Sequence, residues 1–305
     1  MTEPSTPFIE QTAGARAARA ARRSRRREAD ASGPRPGWIT YVTLAVVAAL
    51  SLLPLYYTFL LASSTSAEIA QRPIPSPIPG THLLDNLRRV VESDIKLPTA
   101  VGNSVIVSTV TAAAVVLVST LAGFAFARLR FRGSAGLLTF VVATMAVPTQ
   151  LGVVPLFIVM RELGLVGSLW SVIIPGIASA FGVFWMTQYL RSALPEELIE
   201  AARIDGASTF RIARSIVLPA ARPAAAMLAL FTFIGSWTNY FWPSIALGAT
   251  NPTLPVALQL LQAGFFKDIA LIMAGVLISV IPLLLLFVVL GKQLVAGVMQ
   301  GAVKG

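Results

Sequence analysis

"EAARIDGASTFRIARSIVLP", Glu200 to Pro219, is the most polar long segment lying between two strongly apolar ones, yet it too carries apolar positions at helical spacing. Just upstream, Pro195 suits the first turn of a helix, and Glu196, Glu197 and Glu200 favour that helix's positive N-terminal end. Leu198, Ala201 and Ala202 then share one face. The helix is expected to stop at Gly206, because a glycine tolerates the left-handed backbone that terminates helices. Ser208 caps a second helix, in which Phe210, Ala213 and Val217 form an apolar stripe beside Arg203, Arg211 and Arg214. Pro219 is expected to end that helix where the next apolar run begins. Two short helices broken at a glycine make a compact projection, with small alanines where another surface can approach closely. The same features also suit an interfacial loop packed on its own bundle, and at this point both readings stand.

The surroundings of this segment are those of a membrane protein. The chain has 305 residues, 55% hydrophobic and only 12% charged, with a mean hydropathy of +0.75, whereas about a quarter of a soluble domain is charged. Cysteine is absent, which excludes disulfides, thiolate metal sites and thiol nucleophiles. The formal charge of +10 does not point to nucleic acid, since the basic residues sit in short runs beside apolar segments, where Lys and Arg orient a membrane protein. Residues 1–36 are rich in Ala, Arg, Ser and Pro, with eight arginines against four acids, and cannot bury a core. They read as a disordered cytoplasmic tail ahead of a six-span transmembrane domain covering 37–305. The apolar run 38–62 is too long for a cleaved signal core and reads as an uncleaved anchor.

Six apolar segments, near 38–62, 101–126, 137–160, 168–190, 223–248 and 269–291, are each long enough to cross a hydrocarbon core of about 30 Å. Six spans bring both termini to one side. The loop after the second span carries Arg128, Arg130 and Arg132 with no acid, while the basic residues after the first are balanced by Glu68, Asp85, Glu92 and Asp94. The excess of positive charge makes the N-terminus, the 127–136 loop, the 191–222 loop and the C-terminal tail cytoplasmic. The outer connection 63–100 opens with the proline spacer "RPIPSPIPG" at Arg72–Gly80. Leu83, Leu84, Leu87, Val90 and Val91 follow at helical spacing, as in a short amphipathic helix on the outer membrane surface.

Catalytic groups are missing. No G-x-x-x-x-G-K-[ST] phosphate cradle occurs, so this chain is not expected to hydrolyse ATP. Its single histidine, His82, reads as a solvated loop residue beside Gly80, and no residue pattern suggests a metal. The six apolar segments hold no Asp, Glu, Lys, Arg or His, groups that ion-coupled carriers keep in the membrane for proton or substrate sites. Energy therefore comes from outside the bilayer, unless sodium is bound by neutral oxygens.

Glu200, Ala201 and Ala202, then Gly206 after three residues, then Ile216, Leu218 and Pro219 resemble the EAA loop (E-A-A-x3-G-x9-I-x-L-P) of the permease subunits of binding-protein-dependent ABC importers. "AVPTQLGVVPLFIVMRELGLVGSLWSVIIP" at Ala146–Pro175, "SWTNYFWPSIAL" at Ser236–Leu247 and the terminal "GAVKG" are similar to the carbohydrate-type, MalG-like permeases, and the likeness runs from the first span to the last residue. The resemblance implies an all-α membrane protein of type I importer architecture. It further implies a bacterial plasma-membrane complex with a second six-span permease, two ATP-binding cassette ATPases that hold ATP and Mg, and an extracytoplasmic solute-binding protein that delivers a sugar or oligosaccharide. Glu200, Ala201, Ala202, Asp205, Gly206, Ile216, Leu218 and Pro219 would form the element that couples to the ATPase. Gly301–Gly305 would touch the ATPase dimer, and the outer segment Ala249–Asp268 would probe the binding protein.

For the substrate path the fifth span offers Trp237, Asn239 and Tyr240, with Phe233 and Trp242 beside them, and the third offers Gln150. Sugars stack C–H faces on rings and meet amides and phenols with their hydroxyls. The same residues suit an interfacial aromatic belt or helix packing, and Asn103 is a further polar residue that can bind a neighbouring helix. A stand-alone facilitator or sodium-coupled carrier would explain the spans but leave the hairpin without a task. A membrane scaffold would leave the polar-aromatic fifth span without one.

Overall fold

The computed structural model describes residues 37–72, 74, 76–262 and 267–302, with side chains up to residue 288. The arginine-rich segment 1–36 and residues 303–305 of the terminal "GAVKG" lie outside the described residues. The chain divides into two compact units, Met1–Tyr56 and Tyr57–Gly305. The described part of the first is most of helix α1 (Trp38–Ala62), where the Thr43 and Ser51 hydroxyls donate to the carbonyls of Ile39 and Val47 one turn back, at 2.9 and 2.8 Å. Such back-bonding satisfies a hydroxyl inside an apolar helix without a partner.

The second unit begins with the last turns of α1 and continues through α2 (Ser66–Gln71), α3 (Leu83–Glu92), α4 (Leu97–Arg128), α5 (Ser134–Thr144), a 3₁₀ turn (Thr149–Gly152), α6 (Val153–Glu162), α7 (Trp170–Ile177) and α8 (Ala180–Ala193). Then come α9 (Glu196–Ile204), α10 (Thr209–Ile212), a π turn (Ala213–Val217), α11 (Leu218–Trp237), α12 (Phe241–Ala246), α13 (Leu254–Leu260) and α14 (Ile269–Ala302). Among the described residues five helices are long and apolar enough to cross a membrane, and six spans result if the bent pair α5 and Thr149–Glu162 is one of them.

Three of the expected spans are interrupted, the fourth at Ala178–Ser179 between α7 and α8 and two others near prolines. The segment 137–160 turns by 91° between α5 and the 3₁₀ turn. Pro148 has no N–H to continue the helix and disfavours the helical region for the residue before it, so the ladder stops there. The segment 223–248 breaks at Thr238–Tyr240. Pro243 falls in the first turn of α12, where its missing N–H costs nothing, whereas a continuous helix would lose a bond and drive the ring into the Asn239 carbonyl. Pro219, in contrast, does not end the hairpin's second helix. Helix runs from Thr209 to Trp237, because the turn before the proline takes an extra residue: the Leu218 N–H reaches back five residues to the Ala213 carbonyl. The widened turn makes room for the proline ring.

Helix α4 is the central post, packed on α8 and α11. Gly123 permits its contact with α8, since a Cβ there would lie 2.9 Å from the Met186 carbonyl carbon and the Thr187 nitrogen. Small residues serve this purpose where apolar helices meet in lipid, because association there depends on close backbone packing. One buried cluster joins Phe124, Met186, Leu190, Leu194, Ile199, Ile212, Val217 and Leu228 at the hairpin's base. Another joins Ala62, Val90, Leu97, Ala100, Trp237, Leu254 and Ala274 near the start of α4.

That second cluster redirects two expectations. Helix α3 exists and is amphipathic, but Val90 is fully buried and Leu83 and Leu87 pack on the protein core, leaving Leu84 and Val91 outward. Its face is thus claimed by the last span as well as by the surface. The helix-compatible middle of the Ala249–Asp268 loop is α13, tucked inward by Leu254 and Ala257, while residues 263–266 lie outside the described residues. Asn103 turns out to tie this loop down, donating to Asn251 Oδ1 at 2.7 Å and to the Pro252 carbonyl at 2.9 Å. His82 is half-buried at the start of α3, 3.8 Å from the Asp85 carboxylate.

Asp268 fastens α2 and α3 to the start of α14, accepting from the Ser66 hydroxyl, from Arg89 Nη2 at 2.6 Å and from the Leu271 N–H at 3.0 Å. Burial pushes the Asp268 carboxyl upward, but the hydrogen bonds from Ser66, Leu271 and Arg89 outweigh it and hold the group below its ordinary 3.8. A depressed carboxyl stabilises the fold above its unfolded pKa and stops doing so as pH falls through the folded one. Asp268→Asn is therefore expected to lower the melting temperature at pH 7, by a gap that persists down to about pH 4 and closes below it. Thermal unfolding in detergent across pH 3–8 checks this; an equal gap at every pH would assign the loss to packing instead.

Candidate functional site

The breaks in the third and fifth spans face one cavity of about 710 Å³. Gln150, in the 3₁₀ turn after Pro148, and Asn239, between α11 and α12, both line it. This coincidence has a physical cause. Irregular backbone leaves N–H and C=O groups without helical partners, and at membrane depth that is tolerated only where the segment is buried in protein or borders a water-filled space. Rings form the remaining walls: Phe181, Phe231, Phe241 and Trp242. Phe181 stacks on Trp185 at 6.0 Å and meets Phe231 edge-on at 6.5 Å, while Trp242 is fixed by donation from Nε1 to the Ser171 carbonyl at 2.9 Å. Thr149, Thr232 and Ser236 add hydroxyls, and among the described residues no ionisable one lines the space. The volume falls in the range of small-molecule sites, and the mixture of rings, amides and hydroxyls is that of a site for an uncharged polar solute.

Trp237 and Tyr240 do not belong to this lining. Trp237 is 2% exposed, stacks on Phe233 at 5.8 Å and donates from Nε1 to the Ser279 carbonyl at 3.1 Å, locking α11 to α14. One turn of helix rotates it into the core, so its ring is a packing element and its place as a path residue is withdrawn. Trp237→Ala is expected to cost about 3–5 kcal/mol of stability, read as a lowered melting temperature, with the substrate KM of the remaining folded protein unchanged. Tyr240 is exposed beside the break.

The second feature is the hairpin. Helix α9 ends in the hydrogen-bond pattern of a left-handed cap: Gly206 has φ +77°, its N–H reaches the Arg203 carbonyl at 3.0 Å, and the Ala207 N–H reaches Ala202 at 2.9 Å. Ser208 caps α10 by accepting from the Arg211 N–H at 3.3 Å. The buried faces differ from the expected ones. Ile199 with Ala202, not Leu198 with Ala201, packs on the protein, and Ile212, Ala213 and Val217 form the second stripe without Phe210. Both stripes join the buried cluster that holds Leu190 and Leu194, so α9 is turned by about one residue from the sequence reading, whereas the second stripe keeps Ala213 and Val217 and exchanges Phe210 for Ile212. At the tip Ile204 is 86% and Phe210 74% exposed. Glu200, Ala201, Asp205 and Gly206 are also exposed, Ala202, Ile216 and Leu218 are half-buried, and Pro219 lies outward on the helix.

Residues 116–296 match the family of binding-protein-dependent transport system inner membrane components. The chain is a member of that family. The arabinooligosaccharide permease AraQ of Halalkalibacterium halodurans is 31% identical to this permease, over 90% of this chain and 99% of its own. The lactose permease LacG of Rhizobium radiobacter is 30% identical, over 88% and 97%. The sn-glycerol-3-phosphate permease UgpE of Brucella abortus is 29% identical over the same shares. A crystal structure of a bacterial ABC transporter involved in the import of the acidic polysaccharide alginate superposes with a TM-score of 0.68 at 25% identity, covering 84% of this permease and 95% of that chain. The permease is thus an inner-membrane, multi-pass subunit of a carbohydrate-type ABC importer, without ATPase activity of its own.

Sequence reasoning missed the cavity's rings Phe181 and Phe231 because aromatic residues in apolar spans are uninformative by themselves. Pro148 and Pro243 were the available signals: a proline inside an expected span marks a break, and a break marks a space beside it.

Proposed function

We propose that the permease passes a sugar or oligosaccharide through its central cavity and that the Glu200–Pro219 hairpin docks on a separate ATPase subunit on the cytoplasmic side. Ile204 and Phe210 carry this reading. Large apolar side chains left bare at the tip of a charged projection have no task unless another surface covers them. The partners are a second six-span permease, two ATPases holding ATP and Mg, and an extracytoplasmic binding protein that hands over the sugar. ATPase closure draws the hairpins together, and the cavity opens outward to receive substrate. The relatives named for arabinooligosaccharides and lactose support a sugar, as does a cavity that joins rings to amides. Purification of the tagged permease from its own host in mild detergent, with every copurifying polypeptide identified by mass, tests the reading. An ATPase and a second permease are expected; recovery of this chain alone, folded, would overturn it.

Gln150 and Asn239 hydrogen-bond the passing solute. Gln150→Ala and Asn239→Ala are each expected to raise the KM for uptake about five- to tenfold, the worth of roughly one hydrogen bond. Uptake kinetics with the natural sugar check this, and unchanged constants in both variants would make these residues mere packing.

A further inference from the structure

Helix α4 ends in Arg128, whose side chain reaches beyond its own helix to bind the end of another. Arg128 Nη2 donates to the Arg191 carbonyl at 2.6 Å and also to the Leu194 carbonyl. Both acceptors belong to the C-terminal end of α8, where the last carbonyls have no helical donor. Leu194 is the residue before Pro195 and the hairpin. Beside this contact Arg130 Nη2 stands 3.5 Å from the Glu196 carboxylate in the first turn of α9. The far side of the same post meets the cavity: Thr111 and Val115 of α4 line it, about 20–25 Å along the helix from Arg128. The guanidinium thus adds a polar tie between the root of the hairpin and the helix that forms a wall of the passage, beside the apolar packing of Phe124 with Leu190 and Leu194. Nη2 meets the Arg191 and Leu194 carbonyls while Nη1 donates to the Ala127 carbonyl of α4 at 3.2 Å, so the planar fork spans the two helix ends, which a lysine ammonium on a flexible stem does not reproduce.

We propose that Arg128 is the positioning residue that makes α4 follow the hairpin, so that ATPase closure moves the cavity wall. This rests on the coupling role given to the hairpin above. When the hairpin shifts, the Leu194 carbonyl shifts with it, and α4, being one unbroken helix, passes the displacement to Thr111 and Val115.

The chain contains no cysteine, so Glu197→Cys on α9 and Leu121→Cys on α4 give two defined spin-label sites in this subunit of the intact importer. With Arg128 present, the label–label distance is expected to be single and equal in the nucleotide-free and ATP–vanadate-trapped states. In Arg128→Gln it is expected to change on trapping by on the order of 2 Å or to broaden, the size of ordinary helix shifts, while ATPase stays bound and active within about twofold. Arg128→Lys is expected to fall between the two, and carries the test if the glutamine variant does not assemble. Equal distances in both variants would overturn the proposal, as would failure of both to assemble, which would make Arg128 an assembly residue. Absence of any ATPase from the unsubstituted complex would instead sink the coupling role itself.

Discussion

Gly206→Asp is expected to abolish transport, by about a hundredfold or more, while the permease still inserts into the membrane. The argument separates space from strain. No atom lies within 4 Å of where a Cβ at Gly206 would stand, so the fold has room for a side chain. Its φ of +77° costs an L-residue about 1–2 kcal/mol, and aspartate is among the residues that bear it best. A destabilisation of that size leaves most of the protein folded. The side chain instead projects, with a carboxylate, from the tip where Ile204 and Phe210 are bare. A hundredfold loss corresponds to about 2.7 kcal/mol, a plausible cost for a charge placed in a partner's apolar cleft. Membrane-fraction abundance, uptake and copurified ATPase are the measurements. Normal uptake would remove the hairpin from the mechanism, and loss of the protein from the membrane would make Gly206 a folding residue only.

Ile204→Glu combined with Phe210→Glu is expected to release the ATPase without lowering the melting temperature. Each side chain is exposed in this chain, so its removal deletes no internal packing, and surface substitutions of that kind cost at most about 0.5 kcal/mol. If a partner covers them, each contributes about 1.5–3 kcal/mol of burial, and the pair together accounts for roughly a hundred- to ten-thousandfold in affinity. ATPase recovered per permease, measured alongside thermal unfolding, distinguishes the outcomes. Full recovery of the ATPase would mean that lipid headgroups, not a protein, receive the tip.

The hairpin's helices and their ends were legible because caps are local. A serine oxygen reaches an N–H three residues on, and a glycine adopts φ +77° whatever surrounds it. Which face of each helix is buried was less legible, since Leu198 and Ile199 are equally apolar and the cluster that chooses between them gathers residues from several helices, among them Phe124, Leu190, Val217 and Leu228. The spans were visible in hydropathy, whereas their interruptions depended on prolines that helices sometimes absorb. Pro219 is absorbed through a π turn, and the chain breaks at Pro148. In the fifth span Trp237 and Asn239 stand two residues apart, one locked to Ser279 and the other on the cavity. Residues two apart on a helix already point to opposite sides, but neither hydropathy nor residue type says which side meets α14 and which the cavity, because the packing of distant helices decides it.

The length of α4 has one more consequence. Its 32 residues reach about 48 Å, well past a hydrocarbon layer of about 30 Å. A cation marks each end: Lys96, whose Nζ donates to the Thr250 carbonyl at 3.3 Å, and Arg128. A cation carried to the middle of the hydrocarbon costs about 2.5–3.5 kcal/mol, but roughly 18 Å of the helix lies beyond the layer, so the post can slide or lean by several ångströms before either charge reaches it. The two cations mark the limits of that travel.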